Sequence, residues 1–191
     1  MPNARTHDVI TVVTGIALAP LSYVVLLAQD QPPAVAGVDT LLFVGAHLLS
    51  GIMFSPDLDI DSSIDDRWGI FYWLWRPYMW LTPHRRWLSH GLILPPLLRL
   101  LYFGGVLSLI SIVIAWLFAQ IGIVIPRYHL YVARYLWALI GDYPREAWLV
   151  VLGFITGGAA HTIADWLSTG GKRILRNLGL RVPQNRGGDR R

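Results

Sequence analysis

SHGLILPPLLRLLYFGGVLSLISIVIAWLFAQIGIVI, residues 89–125, decides how many helices this chain can send across a bilayer. Read as one element, it starts near Ser89, bends at Pro95-Pro96 and spans with residues 100–125. Read as two, residues 89–103 and 105–125 would each have to span. A spanning helix needs about 20 mainly apolar residues. The first piece is short and carries both prolines and Arg99, and an intramembrane charge is expensive. One helix is the better reading.

Three further windows hold no formal charge: Asp8 to Asp30, Asp39 to Asp57, and Glu146 to Asp165. They place helices at about 9–28, 40–54 and 147–167. The second ends at Ser55-Pro56, because proline turns the residue before it away from helix. Hydrophobic residues make up 54% of the 191 and charged residues 15%, against roughly 25% charged in a soluble domain. The fold class is therefore all-α, a polytopic membrane helix bundle of about four transmembrane helices. Residues 29–38, with Pro32-Pro33, form a short connection, and residues 128–141, with Arg134 inside, a surface-lying or partly re-entrant piece. Residues 1–169 make the membrane-embedded domain and 170–191 a basic, partly disordered tail. Ala17-Leu18-Ala19 has the form of a signal cleavage site, but Pro20 behind it hinders cleavage, so the first helix is retained. The chain has no cysteine, which excludes disulfides and thiolate ligands.

Lys and Arg mark the cytoplasmic side of a membrane protein. The tail holds Lys172, Arg173, Arg176, Arg181, Arg186, Arg190 and Arg191 against one acid, Asp189. Four spans then put both termini in the cytoplasm, together with residues 57–87, in a multi-pass protein of the bacterial inner membrane. Arg127, Arg134 and Arg145 fall outside in this arrangement. The same arrangement gathers His7, Asp57, Asp59, Asp61, His84, His90, His161 and Asp165 at the cytoplasmic helix ends, although only charge bias was used to build it. His129 falls on the other side.

His161-Thr-Ile-Ala-Asp165 is an i, i+4 pair, so both side chains project from one helix face and can share a metal. Asp57, Asp59 and Asp61 stand at every second residue and face one way in extended chain. Carboxylates this close repel, which a cation among them explains more easily than solvation alone, while Asp65 and Asp66 also fit a solvated, acid-capped turn. His84 and His90 bracket Arg85-Arg86, either as ligands or as an ordinary basic flank. His7-Asp8 fits a site member or a helix cap equally well. His47 lies ten residues before Asp57, about 15 Å down a helix, and is better explained by hydrogen-bonded packing. Imidazole and carboxylate donors suit zinc, with manganese or iron as alternatives, and the number of donors suits one or two ions. Eight aromatics between Trp68 and Trp87 favour headgroup depth and read first as an interfacial anchor, secondly as a lid for a lipid-like substrate.

His7, the SPDLDID stretch at 55–61, HRRWLSH at 84–90 and HTIAD at 161–165 resemble, in order, the predicted membrane-bound metal-dependent hydrolases, a family with an SOS-regulated bacterial inner-membrane member. RTHD at 5–8, HRRWLSHG and HTIADWLSTGG are closer still to a related family of metal-binding proteins common in cyanobacteria. The resemblance implies a metal site carried by His7, Asp57, Asp59, His84, His90, His161 and Asp165. More distantly the pattern is similar to zinc-dependent phospholipase C and the single-strand-specific nucleases. Ile60 stands where the hydrolase family often has histidine. The expected function is a metal-dependent hydrolase of a phosphoester or lipid-like substrate at the cytoplasmic face, with Asp59 or Asp61 as general base and Arg85 stabilising developing negative charge. The alternative is a non-catalytic metal-binding scaffold or sensor. The expected partner is the lipid bilayer, with no specific nucleic-acid binding, since the basic tail lacks interleaved aromatics.

Overall fold

The structure, a computed structural model, describes residues 4–55, 65–81 and 91–177. All secondary structure among these is helical: α1 (Ala4–Leu27), α2 (Pro33–Met53), α3 (Asp65–Trp68), a 3₁₀ segment (Gly69–Trp75), α4 (Arg76–Leu81), α5 (Leu94–Gln120), α6 (Tyr128–Gly141) and α7 (Pro144–Asn177). Four helices are long and apolar enough to cross a membrane: Arg5–Leu27, Pro33–Met53, Leu94–Gln120 and Pro144–Leu167. The four-helix expectation holds.

Proline sets three of the helix starts, and two of them differ from the sequence reading. Pro33 occupies the first turn of α2 behind Pro32, so that helix begins seven residues earlier than position 40. Proline is favoured there because its missing N–H would be unpaired anyway. The same logic removes the bend expected at Pro95-Pro96. Both prolines lie in the first turn of α5, which starts at Leu94, and break no hydrogen bond. Pro144 opens α7, which continues through Gly170-Gly171 to Asn177. Asp30 adopts a left-handed φ of 59° where α1 turns back towards α2, a conformation that aspartate tolerates better than most residues.

The core is a trio of α1, α2 and α7. The closest pairing is between α2 and α7, which run in the same direction. Gly153 and Gly157, one turn apart on α7, lie so near α2 that a Cβ on either would run into the carbonyl oxygen of Phe43 or His47. Small residues four apart permit this approach and bring backbones into van der Waals contact, the packing that holds helices together in lipid. Ser50 Oγ adds a bond to the Phe154 carbonyl at 2.7 Å. Gly51 of α2 meets Thr11 of α1, and Gly158 of α7 meets Pro96 of α5. Beyond its first turns α5 is not buried at all: Leu107, Leu109, Trp116 and Leu117 are exposed.

Three side chains close the end of α2. Arg67 Nη1 donates to the Ile52 carbonyl at 2.6 Å, Trp68 Nε1 to Met53 at 2.9 Å, and Arg99 Nη1 to Phe54 at 2.9 Å. The last carbonyls of a helix have no partner within it, and here three consecutive ones are satisfied from outside. The other fork of Arg67 pairs with Asp8 at 2.6 Å. Arg67→Ala removes both bonds and is expected to lower stability by about 2–3 kcal/mol, given that bonds to charged groups contribute more than neutral ones. Thermal unfolding in detergent checks this, and Arg67→Lys is expected to recover only part, because lysine cannot fork to two acceptors.

The aromatic segment divides rather than lying wholly at an interface. Trp75 and Tyr78 are buried while Phe71, Trp73 and Trp80 are exposed. Phe54 is the hub, with Trp68, Trp75, Phe103 and Phe154 edge-on around it at 5.1–5.5 Å. Such pairs add stability beyond their burial. Half of the segment is thus a plug that ties the ends of α2, α5 and α7 together.

Candidate metal centre

His7 sits in the second turn of α1, and His161 and Asp165 on consecutive turns of α7. All three are buried, His161 completely. His7 Nε2 lies 3.3 Å from Asp165 Oδ1, and His161 Nε2 lies 3.8 Å from Asp165 Oδ2. The two imidazoles stack with centroids 3.6 Å apart and planes 12° from parallel. Both rings therefore turn the same edge towards one carboxylate. One donor atom from each of the three residues can be chosen so that all lie within 4.8 Å of one another. Two ligands of a tetrahedral zinc ion, each about 2.1 Å from it, stand roughly 3.4 Å apart, so modest side-chain adjustments suffice to close on an ion.

The local structure holds this pose. Thr11 donates its hydroxyl to the His7 carbonyl at 2.9 Å, and Thr162 donates to Gly158 at 3.2 Å. His7 Nδ1 is buried without a hydrogen-bond partner among the described residues. The Nε2 atoms of both rings face the buried Asp165 carboxylate, and a buried carboxylate is stable only when its charge is balanced, which a cation held by this donor set would do. The donor set is nitrogen and oxygen only, which fits a borderline divalent ion such as zinc.

Of the residues expected at the site, the structure brings together His7, His161 and Asp165. Asp57, Asp59, Asp61, His84, Arg85 and His90 lie outside the described residues. The helix ends that lead into and out of those two segments are nevertheless placed. Gly51, near the end of α2, touches Thr11, one turn from His7. Pro96, at the start of α5, touches Gly158, one turn from His161.

His47 is accounted for by packing. Its Nε2 lies 3.1 Å from the Thr11 carbonyl and 3.0 Å from Thr14 Oγ1, and its Nδ1 lies 3.0 Å from Thr156 Oγ1. A carbonyl can only accept, so Nε2 carries the proton, and Nδ1 faces the Thr156 hydroxyl, whose one proton is shared between Nδ1 and the Gly153 carbonyl 3.0 Å away. Both nitrogens are committed to α1 and α7, and neither is left for a metal. His47→Leu is expected to leave metal content unchanged while lowering stability by about 1–3 kcal/mol through loss of the hydrogen bonds that join α2 to α1 and α7; elemental analysis and thermal unfolding of one sample read both.

Sequence reasoning did not foresee that Arg99 reaches the Phe54 carbonyl, nor that Arg145 pairs with buried Asp39 at 3.1 Å. The signal was present for both: an ionisable residue inside an apolar run needs a partner.

The chain belongs to the family described as uncharacterized metal-binding protein (DUF2227), whose model matches residues 2–175. No curated protein and no solved structure matches it.

Proposed function

With membership of a metal-binding family as the premise, we propose that this chain is an integral membrane protein that holds one or two divalent ions at its cytoplasmic face and uses them to hydrolyse a phosphoester or lipid-like substrate. The observation that carries this reading is the convergence of His7 with His161 and Asp165, from opposite ends of the chain, at one end of the bundle. Residues 56–64 and 82–90 leave from the same end, by way of Gly51 beside Thr11 and Pro96 beside Gly158. Those two segments carry Asp57, Asp59, His84 and His90, which complete the ligand set. Zinc suits imidazole and carboxylate together.

When bound, such an ion supplies Lewis-acid chemistry at the scissile group. The chain supplies the rest. Asp59 or Asp61 accepts a proton as general base, and the Arg85 guanidinium binds the anionic group and stabilises charge that develops on it. The aromatic plug around Phe54 keeps the helix ends beside the site in register. The orientation, with both termini in the cytoplasm of a bacterial cell, rests on the basic residues of 172–191.

Burial of all three described ligands favours a second reading, in which the ion only ties the helix ends together. Two cavities among the described residues, one between α5 and α6 and one lined by Pro126, Arg127 and α6, touch none of the three. Phosphoesterase assays on metal-loaded protein in detergent, wild type beside Arg85→Ala, separate the readings. Turnover that falls by about a hundredfold or more in the variant supports hydrolysis, as expected for loss of an electrostatic stabiliser. No turnover, with unfolding on chelation, supports the structural ion.

A further inference from the structure

The three arginines on the far side of the bundle do not behave alike. Arg145 is engaged: it pairs with Asp39 at 3.1 Å and Glu146 at 3.2 Å and donates to Gln31 at 2.8 Å. Arg127 and Arg134 are exposed, and neither guanidinium has an ion-pair or hydrogen-bond partner among the described residues. They line one cavity of about 540 Å³ with Tyr131. Tyr131 also lines a second cavity, of about 430 Å³, between α6 and the middle of α5, walled by Gly104, Leu107 and Ser108. One end of this groove is cationic and the other mostly apolar.

Its depth is set by the helices. From the Pro96–Gly158 contact, α7 reaches its first residue, Pro144, fourteen residues back, and α5 reaches Ser108–Ser111 after twelve to fifteen. At equal rise per residue the groove lies level with the start of α7, at the end of that helix opposite the metal cluster. Tyr128, Tyr131, Tyr135 and Trp137 on α6 are the residue types that settle at headgroup depth.

We propose that the groove between α5 and α6 binds an anionic phospholipid, its phosphate on Arg127 and Arg134 and one acyl chain against Gly104 and Leu107. This rests on the membrane-spanning reading given above, but not on the metal or on hydrolysis. Charge complementarity selects the occupant: two free guanidiniums match a phosphate, which they bind in forked geometry, and the apolar half excludes a small free anion as the natural ligand.

The test uses the full-length protein in a neutral detergent, with native mass spectrometry counting retained phosphatidylglycerol against phosphatidylcholine of the same acyl chains. Wild type is expected to favour the anionic lipid, and Arg127→Ala with Arg134→Ala to reduce that preference by roughly tenfold or more, each arginine contributing to attraction. Both residues are exposed and unpaired, so folding is unaffected. Gly104→Leu fills open space, since nothing lies within 4 Å of a Cβ there, and is expected to weaken both lipids alike while keeping their ratio. An unchanged preference in the arginine variant overturns the proposal, as does displacement of the lipid by millimolar inorganic phosphate. Alkaline carbonate extraction of membranes separates the two readings. A chain that is released does not span, and both fall; a chain that stays in the pellet but shows no lipid selectivity sinks the groove alone.

Discussion

His161→Ala is expected to strip the protein of metal. Elemental analysis of detergent-purified protein should find near-stoichiometric zinc, manganese or iron in wild type and a drop of at least about tenfold in the variant, since even outer-shell changes around a metal cost 10–100-fold in affinity. The size of the effect follows from position. His161 is completely buried, stacked on His7 and faces Asp165, so no solvent-side donor replaces it. Asp165→Asn is expected to behave similarly, because it removes the charge that faces both rings while keeping the shape. A variant that retains wild-type metal would remove this cluster from the site. A wild type that stays empty after reconstitution with each ion would end the metal reading for the chain.

Gly157→Leu is the substitution expected to damage the fold most. A Cβ at this position meets the His47 carbonyl, Ser50 and Gly51 of α2, so relief requires moving a backbone rather than a side-chain tip. Overpacking of a core usually costs about 1–3 kcal/mol, and a backbone clash at the centre of the tightest helix pair belongs at or above the upper end. Thermal unfolding in detergent is expected to show the loss, or the protein fails to accumulate. His161 follows Gly157 by one turn, so prying α7 from α2 also moves His161 relative to His7, and metal content is expected to fall with stability. Gly157→Ala folding with unchanged stability would contradict the helix separation described.

Much of this was legible in the sequence. The four uncharged windows predict four membrane-length helices, and the charge bias of their ends puts His7, His161 and Asp165 on one face of the bilayer. Two kinds of feature were not legible. Local rules misplace helix starts, because they read Pro33 as part of a connection and Pro95-Pro96 as a bend, whereas the first turn of a helix accepts proline without losing a bond. Partnerships between distant residues had no local signature. Arg99 was read as a cost to spanning, yet it satisfies a helix end forty-five residues earlier in the chain. The aromatic run between Trp68 and Trp87 suggested a surface belt by composition. Only packing against Phe54, Phe103 and Phe154 separates its buried members from its exposed ones.

The closure of α2 by Arg67 and Arg99 has an electrostatic consequence. The C-terminus of a helix carries a partial negative charge of about half an electron, which disfavours anions just beyond it. Two guanidiniums at the Ile52 and Phe54 carbonyls, the first of them shared with Asp8, still outweigh that charge and reverse the sign of the pole. The sequence that follows this pole carries Asp57, Asp59 and Asp61. Three acids in succession would be repelled by a bare helix end; here they leave from a positive one.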